Sequence, residues 1–185
     1  MQDYKTFLSE ILVSNEELQK RIAEIGQEIT RDYKGEEVVL ICILRGGVLF
    51  LTDLMRQIDL PLSVDFMAVS SYGTGAREST GNVRITLDLN TSLEGKNVIL
   101  VEDIVDSGRT IASVLEILTT RHPKSLVVCT LLDKAERREE DVPLKYTGFV
   151  IPNKFVFGYG LDIDEYYRNL PFIGVVDLEK YRPED

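Results

Sequence analysis

The run VVLICIL, Val38 to Leu44, is continuous, apolar and rich in β-branched side chains, with no polar position left for a solvated face. Such a run fits a strand covered on both sides, and strands of that kind belong to mainly parallel sheets. It is too short to span a membrane, because Arg45, Gly46 and Gly47 follow it directly. Upstream, Ser14 and Glu17 have capping-box spacing, and Leu18, Ile22, Ile25 and Ile29 recur at helical steps, which predicts an amphipathic helix over about 15–31 that ends before Gly35. Downstream, Gly46 and Gly47 turn the chain into a helix over Val48–Ile58; Pro61 closes that unit, and a strand is expected over about Ser63–Ser70. A turn at Gly95–Asn97, a buried strand at Val98–Val101, a loop at Ile104–Arg109, a helix at Thr110–Thr120 and a strand at Ser125–Leu132 continue the alternation. Alternating strands and helices predict an α/β domain, a parallel sheet and right-handed crossovers. With no internal repeat and no linker, the 185 residues read as a single domain, with its core at about 35–150 and a small lobe assembled from the N-terminal segment and about 151–185.

The segment Tyr72–Asn82 is polar and Gly-rich, while Val83, Ile85, Leu87 and Leu89 beyond it alternate as in a half-buried strand. Two strands joined by a long loop are expected, and a loop of this length reads as a lid, beginning at Ser71 and Tyr72. Composition narrows the classes further. A chain of this size with 44% hydrophobic residues builds a core without disulfides or a structural metal. Cys42 and Cys129 sit in apolar runs without CxxC spacing, so they read as buried free thiols. The balance of 21 basic and 31 acidic residues, a net charge of −10, argues against a nucleic-acid partner held by a broad basic surface. It leaves room for a small anion, whose site needs only local amides and one or two cations. With no basic start and no signal-type apolar stretch, a cytoplasmic protein with no membrane partner is expected.

The chemistry concentrates in VILVEDIVDSGRTI, Val98 to Ile111. An apolar strand runs into Glu102 and Asp103, and a loop containing Asp106, Ser107 and Gly108 leads to a helix near Thr110. Ligands of open parallel sheets bind beyond the carboxyl ends of the strands. There, Ser107, Gly108, Arg109 and Thr110 offer backbone N–H groups at a helix N-terminus, with two hydroxyls as further donors, which suits a phosphate. The plainer alternative is that Asp106 and Ser107 only cap the helix. Glu102 and Asp103 suit a ribose diol or its Mg²⁺, since carboxylates beside a phosphate need a cation or hydroxyl donors between them.

VEDIVDSGRT resembles the 5-phosphoribosyl 1-pyrophosphate (PRPP) signature of the type I phosphoribosyltransferases. The rest of the chain, from the LRGG segment to FIGVV, about residues 38–176, is similar to the hypoxanthine-guanine branch of that family, in its short bacterial form. The resemblance implies a type I phosphoribosyltransferase fold: a central, mainly parallel sheet flanked by helices, a small hood lobe and a long closing loop. It implies PRPP and a 6-oxopurine, hypoxanthine or guanine, as substrates, with IMP or GMP and pyrophosphate as products, Mg²⁺ as cofactor, and a homodimer or homotetramer. LRGG, Leu44 to Gly47, resembles the pyrophosphate-binding turn, with a cis peptide between Leu44 and Arg45; Arg45, Gly46 and Arg168 would hold pyrophosphate. Asp106 would manage the proton at purine N7 and, with Ser107, Gly108, Arg109 and Thr110, bind the 5′-phosphate. Lys134 would donate to purine O6, Phe155 would stack on the base, and Val156 would present backbone groups to it. Glu102 and Asp103 would hold one Mg²⁺, and Asp162, near the exocyclic position, a second.

Without the resemblance, Lys134 reads as a solvated charge, Phe155 as a core residue on a strand and Arg168 as a surface residue. The run Glu136–Asp141 reads as a solvated loop, and His122 as a helix end. A regulatory nucleotide- or RNA-binding protein that keeps the PRPP loop, and an enzyme preferring xanthine, are the competing readings.

Overall fold

The computed structural model describes residues 2–71 and 83–183, so the expected lid, including Tyr72 and the Ser71 side chain, lies outside the described residues. In chain order the elements are β1 (Leu8–Val13), α1 (Asn15–Asp32), β2 (Val38–Leu44), α2 (Val48–Met55), β3 (Leu62–Ser71) and β4 (Val83–Leu87). They continue with β5 (Asn97–Val105), α3 (Arg109–Thr119), β6 (Ser125–Asp133), β7 (Leu144–Val150), β8 (Val156–Phe157) and β9 (Ile173–Val176).

Helix α1 starts where its cap requires: the Ser14 side chain accepts from the Glu17 N–H, and the Glu17 carboxylate accepts from the Ser14 N–H. Its buried stripe is Leu18, Ile22, Ile25 and Ile29, with Gly26 among them. A Cβ at Gly26 would fall 2.4 Å from Gln57 Cβ, so that glycine lets the segment after α2 lie against α1. Helix α2 ends at Met55, short of the expected Ile58, with Arg56 as its C-cap.

Six strands form the main sheet in the order β4-β3-β2-β5-β6-β7, parallel throughout except for the antiparallel pair β3 and β4. The run Val38–Leu44 lies near the middle, paired on both edges, with every residue up to Ile43 buried. Its alternate residues enter two cores. Val38, Leu40 and Cys42 pack with α1 and α2, whereas Val39, Ile41 and Ile43 pack with α3. Both cysteines are free and buried, and burial pushes both thiols up from their ordinary pKa. His122 sits at φ +54 just after α3, its C=O accepting from the Gly95 N–H, as a helix end should.

A second sheet, in the order β1-β9-β8, is antiparallel and draws its strands from both ends of the chain. It has its own small core, in which Phe7 packs against Phe157, Tyr167 and Tyr181. Tyr159 joins this hood to α2 by donating to Asp53 Oδ2 at 2.5 Å.

Candidate active site

Strand β5 runs to Val105, so Ile104 and Val105, expected in the loop, belong to the strand, and Glu102 and Asp103 at its expected end lie inside it. Charged residues disfavour a strand locally, but pairing with β6 carries the ladder on through Thr130, Leu132 and Asp133. The loop is thereby confined to Asp106–Gly108, at the carboxyl ends of the parallel strands.

Gly108 caps α3 with φ +86 and no side-chain cap bond, and the Arg109 N–H lies 3.5 Å from Ser107 Oγ. The capping alternative holds in part: Gly108 is the N-cap residue and the Ser107 hydroxyl accepts from the first helical N–H, whereas the Asp106 carboxylate turns to Lys134 and Arg137. Gly108 also lies where a Cβ would meet Glu140 O at 3.0 Å, so the loop packs closely on the segment after Lys134. A cavity of about 290 Å³ opens over this helix terminus, lined by Glu102, Asp106 to Thr110, Arg137 and Glu139, among others. Such a terminus presents amides and the positive end of the helix dipole to an anion.

Asp106 is flanked by two cations. Lys134 Nζ donates to its Oδ2 at 3.1 Å, and Arg137 Nε lies 2.8 Å from its Oδ1 as an ion pair, without hydrogen-bond alignment. Lys134 is only 7% exposed, so it is not a solvated charge. Phe155, at 44% exposure, is not core; it precedes β8 instead of lying in a strand. The Val176 N–H donates to the Phe155 C=O at 2.9 Å, which makes Val156 and Val175 a non-hydrogen-bonded pair. The N–H and C=O of Val156 accordingly face the open edge of the hood sheet.

Successive strand residues point to opposite faces, and the two acidic neighbours divide accordingly. Glu102 lines the cavity over α3. Burial and the adjacent Asp103 charge push its carboxyl well above the ordinary range, and its buried Oε2 has no hydrogen-bond partner among the described residues. Asp103 lies against the turn after β2: a Cβ at Gly46 would fall 1.5 Å from its Oδ2. Burial pushes Asp103 up to about 6, against the opposing pull of the Ile104 N–H and Arg168. The peptide between Leu44 and Arg45 is cis.

The hood closes on this turn. A Cβ at Gly160, whose φ is +99, would lie 2.0 Å from Gly46 O. Arg168 donates to Gly160 O at 2.8 Å and pairs with Asp162 at 2.7 Å and Glu165 at 3.3 Å, so it is a tethered side chain and not a loose surface residue. Arg45 reaches the same Glu165 carboxylate at 2.7 Å. Two groups of predicted residues thus converge: Asp106 to Thr110 with Lys134 on one side, and Arg45, Gly46, Asp103, Asp162 and Arg168 on the other.

The phosphoribosyl transferase domain family matches residues 9–164 of this chain. The chain belongs to the phosphoribosyltransferase family. Among individual relatives, the hypoxanthine phosphoribosyltransferase of Salmonella typhimurium is 50% identical over 171 residues, covering 91% of this chain and 96% of the relative. The hypoxanthine-guanine phosphoribosyltransferase of Staphylococcus aureus is 48% identical over 174 residues, covering 94% and 97%. A crystal structure of a Staphylococcus aureus hypoxanthine phosphoribosyltransferase superposes with a TM-score of 0.93 at 46% identity, covering 97% of each chain. The fold is that of the type I phosphoribosyltransferases.

Three features of this phosphoribosyltransferase escape sequence reasoning. The charge run Glu136–Asp141 is not merely solvated surface: Arg137 and Glu139 line the cavity, and Glu139 forms an ion pair with Arg109. Their place just after a central parallel strand was the available signal, because that is the ligand end of such a sheet. Gly160 and Glu165 gave no signal, since their roles depend on contacts with Gly46 and Arg45 more than a hundred residues away.

Proposed function

We propose that this phosphoribosyltransferase serves purine salvage, moving the 5-phosphoribosyl group of PRPP to hypoxanthine or guanine to give IMP or GMP and pyrophosphate. The observation that carries the choice of base is Lys134, buried and 3.1 Å from Asp106. A 6-oxo group needs a donor where a 6-amino group needs an acceptor, so a buried ammonium at that edge selects hypoxanthine or guanine over adenine. Asp106 takes or shares the proton at N7 as N9 bonds to C1 of the ribose and the bond from C1 to the pyrophosphate oxygen breaks. Phe155 stacks on the purine, and the outward N–H and C=O of Val156 meet its Watson–Crick edge. The amides of Ser107 to Thr110 and the hydroxyls of Ser107 and Thr110 receive the 5′-phosphate, and Arg45, the Gly46 amide and Arg168 receive pyrophosphate.

Mg²⁺ is the cofactor in this reading, and the residues present fit it. The unpartnered buried oxygen of Glu102 and the raised carboxyl of Asp103 are hard donors in want of a cation. Because β5 turns the two acidic neighbours to opposite faces, Asp103 beside the turn after β2 would hold one ion and Asp162 a second, while Glu102, on the cavity side, would meet the ribose diol or its Mg²⁺. When bound, Mg²⁺ neutralises charge developing on the leaving pyrophosphate.

No helix among the described residues is long and apolar enough to cross a membrane. A cytoplasmic homodimer or homotetramer completes the reading, and light scattering would count its subunits. The deciding assay follows pyrophosphate release from PRPP and Mg²⁺ with hypoxanthine, guanine, xanthine, adenine and uracil supplied separately. Release with hypoxanthine or guanine, abolished by chelation, is expected. Release with xanthine alone would move the specificity, and silence with all five from folded protein would refute the reading.

A further inference from the structure

Arg45 and Arg168 are the side chains assigned above to pyrophosphate, and a carboxylate of the chain already lies between them. Glu165 meets Arg45 Nη2 at 2.7 Å and Arg168 Nη2 at 3.3 Å. Arg168 does not need Glu165 for its orientation, because Asp162 at 2.7 Å and Gly160 O at 2.8 Å also hold it. The Glu165 backbone is fixed at φ +72, after Asp164 at φ +50, and its N–H donates to Asp162 Oδ2 at 2.9 Å. Two successive non-glycine residues hold left-handed conformations only where their surroundings enforce them. The turn presents a carboxylate to two guanidinium groups, which bind carboxylate and phosphate oxygens in the same way.

The arrangement is held loosely. The side chains of Arg45 and Glu165 are 67% and 58% exposed, so solvent screens their pairing and a multiply charged anion can displace it. We propose that Glu165 is an internal counter-anion for the pyrophosphate subsite: it occupies Arg45 and Arg168 when the subsite is empty, competes with pyrophosphate for them, and so weakens product binding and favours its release. Glu165 acts through the two arginines and not on the reacting atoms. The inference rests on the proposed function, since it takes pyrophosphate to be the anion at these arginines.

The two roles open to Glu165 predict effects of opposite sign. If Glu165 merely supported the arginines, neutralising it would weaken pyrophosphate binding. As a competitor, its neutralisation strengthens binding. Calorimetric titration of the full chain with pyrophosphate at fixed Mg²⁺ is expected to give Glu165→Gln and Glu165→Ala a dissociation constant lower by about three- to tenfold, the range for an exposed pair with two arms. Glu165→Asp keeps the charge and should stay nearer the unsubstituted protein. Product inhibition by pyrophosphate should strengthen in the same order. Unchanged or weaker binding in Glu165→Gln, from protein that still turns over PRPP, would overturn the inference alone. If the unsubstituted protein neither binds pyrophosphate nor uses PRPP, both the inference and the function beneath it fail.

Discussion

The phosphate-loop side of the site draws Asp106 to Thr110 from one contiguous segment, whereas the hood side brings Gly46, Asp103, Gly160 and Arg168 together from three separated ones. The loop is shaped by local means: Gly108 in a left-handed conformation turns the end of β5 straight into α3, and the cavity forms over the helix terminus. The hood side depends on backbone contact across the fold, with Gly160 against Gly46 and Gly46 against Asp103, and on ion pairs that link Arg45 and Arg168 through Glu165. A contiguous segment tolerates small shifts because its parts move together. A junction between distant segments does not.

Gly160 and Gly108, one on each side and both at positive φ, test that difference most severely. A Cβ at Gly160 would lie 2.0 Å from the Gly46 carbonyl oxygen, and one at Gly108 3.0 Å from that of Glu140, so both substitutions carry the left-handed penalty but only the first forces backbone apart by about an ångström. Gly160→Ala should cost about 3 kcal/mol or more and Gly108→Ala about 1–2 kcal/mol, read from denaturant melts. Equal costs would break the contrast.

Next in size is Asp106, which should carry chemistry and not structure. Asp106→Asn is expected to lower kcat about a hundredfold while PRPP binding persists. A rate near that of the unsubstituted protein, with PRPP still bound, would remove the proton role. Lys134→Ala should then lower kcat/KM for hypoxanthine about tenfold or more and change PRPP binding less. If both fall together, Lys134 supports the loop and does not read the base.

The smallest effect concerns Asp103 on the hood side. Its carboxyl is raised to about 6 in the folded chain, above the ordinary carboxylate value, so the native state holds this proton more tightly than the unfolded state. The contribution to stability is whole in acid and is lost as pH rises through about 6. Asp103→Asn, which cannot ionise, should therefore be more stable than the parent at pH 7.5 without Mg²⁺, with the gap closing toward pH 4. Thermal melts at the two pH values decide it, and a gap independent of pH would deny the buried charge its cost.

Much of this was legible in the residues themselves. The order of strands and helices, the capping box at Ser14 and Glu17, and the buried run Val38–Leu44 follow from periodicity and local bonds, which act over a few residues. The chain alone also placed Asp106 to Thr110 at the ligand end of a strand, because that segment carries its own turn and helix terminus. Other features belong to the tertiary structure: that β5 continues through Ile104 and Val105, that Lys134 is buried against Asp106, that Arg137 and Glu139 line the cavity, and that Gly160 and Glu165 serve the turn after β2. Burial and charge pairing depend on what lies across the fold, and sequence neighbours carry no record of that.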